Sequence, residues 1–306
     1  MDVLVVGASG LVGQHVVGRL RDRGHGVTAV ARTARDGVDH AVDVTKATQA
    51  EFRALLAGHD GVVFAAGADD REVPRRPAYP VFHRGNVAPV ERLLAAAREE
   101  GLTRAAVIGS YYTHFHRLHP EWGLADRHPY VRSRVEQARA GRAAAGPDLP
   151  VAVLELPFVF GRAGDRLPNW AGPLDQWARS RSPLLAPPGG SAATTAAHVA
   201  EVVVDALERA SGEDLPVALE NLAWPDLIGR IATATGHPRP VRRLPGAVVR
   251  VALRLTGLVQ RVRGLQSGLD PAHAGALLLR ELFVTPSRPG SVDDALAETF
   301  PRDRRA

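Results

Sequence analysis

Cysteine is absent from the 306 residues, which excludes disulfides, thiolate catalysis and cysteine-ligated metal sites. No apolar run approaches the ~20 residues needed to cross a bilayer, so no membrane span is expected. The chain reaches its first apolar run without a basic segment or a small-residue cleavage signal, and a cytoplasmic location is the expectation. Repeats and low-complexity segments are missing too. Net charge is only +5. The high pI reflects arginine standing in for lysine, and the cations are spread along the chain rather than gathered in a stripe, so nucleic acid is not an expected partner. What remains is enough apolar sequence for a substantial core, as one large α/β domain or two smaller ones.

The stretch VLVVGASGLVGQHVVGRL opens with a short aliphatic run, which reads as a buried parallel strand, and continues with helical periodicity through Val16, Val17 and Leu20. Gly7, Gly10 and Gly13 lie between, with Ser9, Leu11 and Val12 among them. A dinucleotide needs this layout: one glycine for the tight turn, one for close backbone approach to the pyrophosphate, one for helix-on-strand packing, and free N–H groups at the helix start facing the anion. A glycine-rich loop without a ligand is the bland alternative, and the strand-then-helix context argues against it. A second strand, GVTAVAR, ends at Arg32, with Arg35 close behind. An arginine there suits a ribose 2′-phosphate, whereas an acid would select NAD; a solvated strand-end arginine is the competing reading.

In HPYVRSRVEQ, Tyr130 and Arg134 stand four residues apart at the start of a predicted helix, so they share a face. A tyrosine phenol is a poor base at neutral pH, with an ordinary pKa of about 10. A fixed cation beside it stabilises the phenolate. Such a pair can exchange a proton with an alcohol oxygen, coupled to hydride transfer at the neighbouring carbon. An altered working pair, a pair kept as cofactor scaffolding, and coincidence all remain open.

The G-x-x-G-x-x-G turn and the Tyr-x-x-Ser-cation run together resemble the extended short-chain dehydrogenase/reductase family, which includes NAD(P)-dependent epimerases and dehydratases and many ketone reductases. The resemblance runs from Gly7 to about Phe300 and implies a Rossmann-type, doubly wound parallel sheet with a small, mostly helical C-terminal substrate lobe. It implies that Ser110, ending the strand AAVIGS, touches the substrate oxygen, and that the cation at 134 holds the nicotinamide ribose. That cation is lysine in the family. Arginine keeps charge and donors but is planar and does not readily give up a proton. Asp43 and Val44 fall where the family contacts adenine. Ala65, Ala66 and Gly67 fall where backbone runs close to the cofactor, with Phe64 at a position where histidine is common. Asn86 matches the start of a family helix. Pro157 and Val159 belong to a late segment in which Leu156 and Arg162 replace the family's arginine and final proline.

The loop expected between Ser110 and Tyr130 carries His114, His116 and His119. Metal binding by these is disfavoured for want of carboxylates at ligand spacing. Tyr111, Tyr112, His114 and Trp122, with Trp170 further on, read as substrate-pocket residues or, equally, as core aromatics. The expected division is 1–162 as the dinucleotide domain, 191–236 returning to it, and 163–190 with 237–306 as the substrate lobe. The basic, aliphatic stretch VRRLPGAVVRVALRLTGLVQRVRGL is expected to bury its apolar face in that lobe. A helix lying in a membrane interface is the alternative, and Gly257 and Gly264 argue against a single continuous helix.

The leading expectation is an NADP(H)-dependent oxidoreductase acting on a small organic carbonyl or alcohol. NAD(H) is the alternative cofactor. A nucleotide-sugar epimerase or dehydratase and a non-catalytic dinucleotide sensor are the rival functions, and a homodimer is left open.

Overall fold

The computed structural model describes residues 1–286 and 288–302. Seven parallel strands make the main sheet, in the order β3 (His40–Ala41), β2 (Gly26–Ala31), β1 (Asp2–Val6), β4 (Gly61–Phe64), β5 (Arg104–Ile108), β6 (Val151–Glu155) and β10 (Asp214–Pro216). β1 is central, with Val5 paired to Ala29 on one side and to Val63 on the other. Its unbroken aliphatic run suits that place, because both faces are covered.

The first seven helices in chain order are α1 (Leu11–Asp22), α2 (Gln49–Leu56), α3 (Tyr79–Phe82), α4 (Ala88–Glu99), α5 (Tyr112–Leu118), α6 (Leu124–Arg127) and α7 (Pro129–Ala145). The later ones are α8 (Ala171–Arg179), α9 (Ala196–Glu208), α10 (Trp224–Ala234), α11 (Gly246–Val262), α12 (Pro271–Leu278) and α13 (Asp293–Thr299). Val16, Val17 and Leu20 of α1 and Val199, Val203 and Val204 of α9 pack with Val3 and Val5 on one face. Phe52 and Leu56 of α2 and Leu93 and Leu94 of α4 pack with Leu4 and Val6 on the other. The two-residue alternation of the strand thus feeds two separate cores. A capping box fixes the entry to α2: the Thr48 hydroxyl accepts from Glu51 N–H and the Glu51 carboxylate accepts from Thr48 N–H.

The smaller lobe is built on β9 (Gly190–Thr195), which runs antiparallel to β11 (Glu220–Ala223) and parallel to β7 (Phe158–Phe160) and β13 (Glu281–Leu282). A two-stranded ribbon pairs β8 (Leu184–Ala186) with β12 (Val241–Arg243). Phe160, Ile231, Leu296 and Phe300 lie at its core. Of residues 191–236, α9 and β10 sit on the main sheet, while β9, β11 and α10 belong to the smaller lobe.

Three local expectations are corrected. The segment 112–127 is not a loop but α5, a 3₁₀ turn at Pro120–Trp122 and α6, because Tyr112, Thr113, Phe115 and Leu124 supply a buried face that the intervening histidines disguise. Asn86 does not begin a helix. It lies in a π-helical turn, His83–Val87, between α3 and α4, which turns it fully inward. Finally, α11 is continuous through Gly257, where α12 packs closely: a Cβ at 257 would lie 3.3 Å from the Ala272 nitrogen. Its apolar face is not buried. Val249 is the one buried residue of the helix, since α12 is short and covers a single side.

Candidate cofactor and active site

A cleft of about 880 Å³ opens at the carboxyl ends of β1, β2, β4 and β5. The chain leaves β1 for β2 on one side and resumes at β4 on the other, so this is the topological switch point where ligands bind in open α/β sheets. The β1–α1 turn forms one wall. Gly7 has a φ of +87°, and a Cβ there would lie 2.6 Å from the Ala65 carbonyl carbon and oxygen, so turn and neighbouring strand can meet only across glycine. A Cβ on Gly13 would lie 2.1 Å from the Gly7 carbonyl oxygen; Gly13 sets the packing of helix on turn and does not line the cleft. Ser9, Gly10, Leu11 and Val12 do line it, and Gly10 precedes α1 with no side chain to cap the helix's leading N–H groups. That bare helix start suits a diphosphate.

Arg32, directly after β2, lines the cleft together with Asp43 and Val44. The Asp43 carboxylate accepts from the Thr45 hydroxyl at 2.7 Å and from the Thr45 N–H at 3.1 Å. Those bonds, with Lys46 and Arg32 nearby, hold its pKa below the ordinary aspartate value. Arg32 is exposed and makes no side-chain hydrogen bond among the described residues.

Ala65, Ala66 and Gly67 line the cleft past β4. Gly67 has a φ of +145°, and a Cβ there would fall 2.6 Å from the Asn86 amide oxygen. Asn86 itself stands behind the cleft. Its amide oxygen accepts from Ala68 N–H at 2.7 Å, and its amide NH₂ donates to Ser133 Oγ at 2.9 Å. Ser133 Oγ in turn donates to the Tyr130 carbonyl at 2.7 Å. The loop after β4 is thereby fastened to the helix that carries Tyr130.

Ser110 and Tyr130, both buried, meet at the far end of the cleft with Arg134 beside them. The phenol lies beside the Ser110 and Arg134 side chains, both of which favour its ionised form. The guanidinium carbon lies 5.2 Å from the ring centroid. Phe82 and Tyr112 close on the ring edge-to-face at 6.0 and 6.4 Å. Burial pushes the Tyr130 pKa up, Arg134 pulls it down, Asp70 pushes it up again and Ser110 pulls it down; the balance stays above the ordinary tyrosine value. At neutral pH the phenol is protonated and therefore a proton donor. The guanidinium also donates to the Ile108 carbonyl at 3.1 Å, to Gln137 Oε1 at 3.0 Å and to the Ala68 carbonyl at 3.4 Å, while its Nε is buried without a partner.

Of the expected pocket aromatics, Tyr111, Tyr112 and Trp170 line the cleft. The Tyr111 hydroxyl hydrogen-bonds Ser191 Oγ at 2.9 Å, and burial pushes its pKa up to about 12. His114 and Trp122 do not line it. His114 stands 3.8 Å from Glu155, a fully buried carboxylate that Arg117 holds through bonds of 2.7 and 2.8 Å. Trp122 stacks on His119 at 4.0 Å, under the Arg280 guanidinium. Among the described residues no group of three histidine or carboxylate side chains is placed to hold a metal ion. Pro157 and Val159 line the cleft opposite the glycine turn, while Arg162 turns away to the Gly164 carbonyl.

Several residues of the site escape sequence inspection. Asp70 sits in the cleft within electrostatic reach of Tyr111, Tyr112 and Tyr130, and burial raises its pKa to about 6 against the pull of Arg71. Its position just past the end of β4, inside the run GADDRE, is the one signal that could have found it. Asn169 donates to Asp69 at 3.3 Å and bridges the cleft from the smaller lobe. His128 caps the entry to α7; fully buried, it accepts from Asp270 N–H at 3.0 Å, and burial lowers its pKa to about 4. Gly268 accepts from Tyr130 N–H at 3.0 Å, and a Cβ there would lie 3.0 Å from Tyr130 Cβ.

Residues 7–152 match the NAD(P)H-binding family model. A 2-alkyl-3-oxoalkanoate reductase of Stenotrophomonas maltophilia (strain K279a) is 29% identical over 137 residues, which are 42% of this chain. The match spans only 40% of that enzyme's length. Among solved structures, the Bordetella bronchiseptica enzyme WbmH in complex with NAD+ superposes with a TM-score of 0.70 at 12% identity, covering 98% of this chain and 97% of the other. The human epimerase family protein SDR39U1 (isoform 2) with NADPH gives 0.69 at 16% identity, covering 97% and 98%. The glycine cradle and the uncapped helix start fit a nicotinamide dinucleotide, and no helix of the described residues is long and apolar enough to cross a membrane. Residues 7–152 are an NAD(P)H-binding domain, in a chain with the fold of the extended short-chain dehydrogenases/reductases and NAD-dependent epimerases.

Proposed function

We propose that this protein is an NADP(H)-dependent oxidoreductase that interconverts a carbonyl and an alcohol on a small organic substrate. The observation that carries the proposal is the buried Tyr130 phenol, standing beside Ser110 and Arg134 at the inner end of the dinucleotide cleft. The bound nicotinamide supplies or accepts the hydride. The chain supplies the rest. Tyr130 holds the proton that a carbonyl oxygen needs as it becomes an alcohol, and a phenol this close to a guanidinium can release that proton without stranding an isolated buried anion. Ser110 offers a second donor to the same oxygen. Arg134 keeps the loop after β4 and the end of β5 at fixed positions around the reacting centre, through its bonds to Ala68 and Ile108. Arg32 reads the 2′-phosphate. The reductase name of the curated relative supports carbonyl chemistry, although the two share less than half of their lengths.

A nucleotide-sugar epimerase or dehydratase with recycled cofactor is the second reading, favoured by a likeness in fold to the UDP-glucose-4-epimerase of Stenotrophomonas maltophila with bound NAD. Calorimetric titration of cofactor-stripped protein with NADPH and NADH separates the two. NADPH binding at least tenfold tighter, about 1.4 kcal/mol, is the expected result. NAD that cannot be stripped, or a preference for NADH, favours the recycling enzyme. Binding of neither overturns both.

A further inference from the structure

Six of the nine exposed large apolar side chains of the described residues lie on α11: Val248, Val251, Leu255, Leu258, Val259 and Val262, each between 50 and 80% exposed. At about 100° per residue, all of them fall within about 60° of Leu255, forming one continuous stripe. The opposite side of the helix faces the protein, where Val249 is buried, Gly257 meets α12 and Gln260 bonds Ser267. Arg254 and Arg261 flank the stripe on one side, and Arg263 on the other. From Leu227 through Leu269 the sequence has no aspartate or glutamate. Arg242, Arg243, Arg250, Arg254, Arg261 and Arg263 are exposed, and none is ion-paired among the described residues.

We propose that α11 is a membrane-docking helix that lies flat on an anionic lipid surface. An apolar stripe rimmed by arginines, with no acid on the element, is the pattern of a helix that sinks its apolar face to the acyl boundary while its cations meet lipid phosphates. A second copy of the chain is a poor occupant. Two such stripes packed about a dyad bring arginine rims together with no carboxylate to pair them. An anionic bilayer instead supplies a counter-charge to Arg254, Arg261 and Arg263, the unpaired arginines that flank the stripe.

The helix also reaches the cleft. Its C-terminal end runs into a strap in which the Gly264 carbonyl accepts from Arg76 N–H at 2.9 Å, Gln266 N–H donates to the Pro74 carbonyl at 2.9 Å, and Gly268 N–H donates to the Glu72 carbonyl at 3.1 Å. Residues 69–72 line the cleft, and Gly268 holds Tyr130. Docking through α11 therefore sets the mouth of the site beside the lipid surface, whatever the substrate proves to be.

The test is co-sedimentation of the full chain with phosphatidylcholine vesicles, with and without phosphatidylglycerol, followed by light scattering of the protein alone. Expected are partition onto the anionic vesicles only, at least tenfold weaker partition in high salt, and a similar loss in the Leu255→Glu/Leu258→Glu and Arg254→Glu/Arg261→Glu double variants. These sites are exposed, and an unchanged circular dichroism spectrum shows that the variants fold. The proposal is overturned by equal binding to neutral vesicles, by no binding, or by binding that the variants leave intact. It is overturned equally by a concentration-dependent dimer that Leu255→Glu/Leu258→Glu dissolves, which would make the stripe a contact between copies.

Discussion

Arg134 donates to the carbonyl of Ile108 at 3.1 Å, tying the helix that carries Tyr130 to the end of the strand that leads into Ser110. The same guanidinium reaches Ala68 and Gln137, so one side chain spans the ends of two strands and its own helix. A planar fork can serve acceptors spread in this way; a single ammonium cannot. The arginine is fitted to this backbone.

Replacing Arg134 by lysine is therefore expected to be costly although the charge is kept. Losing one or two buried charge-assisted bonds lowers unfolding free energy by about 1–3 kcal/mol, measurable by denaturant titration. Arg134→Gln removes the charge as well and moves the Tyr130 phenol to a still higher pKa, which ultraviolet titration detects once the signal is assigned with Tyr130→Phe. An Arg134→Lys variant as stable as the parent would mean that the carbonyl contacts contribute nothing.

Removing the Asn86 amide tests the fastening behind the cleft. Asn86→Ala strands the buried Ala68 N–H and leaves Ser133 without its donor. The expected loss is about 2–4 kcal/mol from one orphaned backbone group and one side-chain bond. NADPH affinity should fall with it, because the Ala65–Gly67 backbone would no longer be held. Asn86→Asp keeps the oxygen that accepts from Ala68 and should recover part of the stability.

The contrast between legible and hidden parts of the site follows from range. Gly7, Gly10 and Gly13 announce themselves because the turn, helix start and close packing are all local demands on adjacent residues. Tyr130 and Arg134 share a helix face, so their pairing is local too. Asp70, Asn169, His128 and Gly268 acquire their places only when the smaller lobe folds back on the sheet, through contacts such as His128 with Asp270 that span 142 positions. His114 and Trp122 fail as cleft residues for a related reason: His114 lies two positions past Tyr112 on α5, on another face of the helix, and Trp122 lies beyond it in the 3₁₀ turn, stacked on His119. The apolar half of α11 reads as core in the sequence because burial is what aliphatic periodicity usually signals; which neighbour is present is a tertiary fact.

Asp70 should destabilise the protein at neutral pH. Its pKa rises from 3.8 unfolded to about 6 in the fold. The folded state thus binds the proton more tightly, and the stability contributed by protonation is complete below about pH 4 and lost as pH rises through about 6. Asp70→Asn removes that loss and raises unfolding free energy at pH 7 by about 1–3 kcal/mol, with no gain at pH 4. A gain that is the same at both pH values would show that the carboxyl is not titrating in the fold.

His128 has the opposite sign. Its folded pKa is lowered from 6.5 to about 4. Its contribution is complete above pH 6.5 and is lost as pH falls through about 4, because the unfolded chain takes up a proton that the buried ring refuses. The loss is about 3 kcal/mol over that window, and it weakens the N-terminal anchor of α7, the helix that carries Tyr130. His128→Gln should flatten this part of the stability profile, measured by urea unfolding from pH 4 to 8, while lowering stability at pH 7 through poorer packing against Asp270.

The proposed preference for NADP(H) rests on Arg32. The guanidinium sits at the end of β2, beside Asp43, with no hydrogen bond to the protein among the described residues. No part of the fold depends on it, so its replacement should leave stability within about 0.5 kcal/mol. Arg32→Ser removes the charge and the planar donors that suit a 2′-phosphate. NADPH affinity is expected to fall at least tenfold, about 1.4 kcal/mol, while NADH affinity stays within about twofold, because NADH has no phosphate at that position. Calorimetric titration of both cofactors reads the difference directly. Equal weakening of the two would instead make Arg32 a general electrostatic attractor for the diphosphate, and the 2′-phosphate would have to be recognised elsewhere.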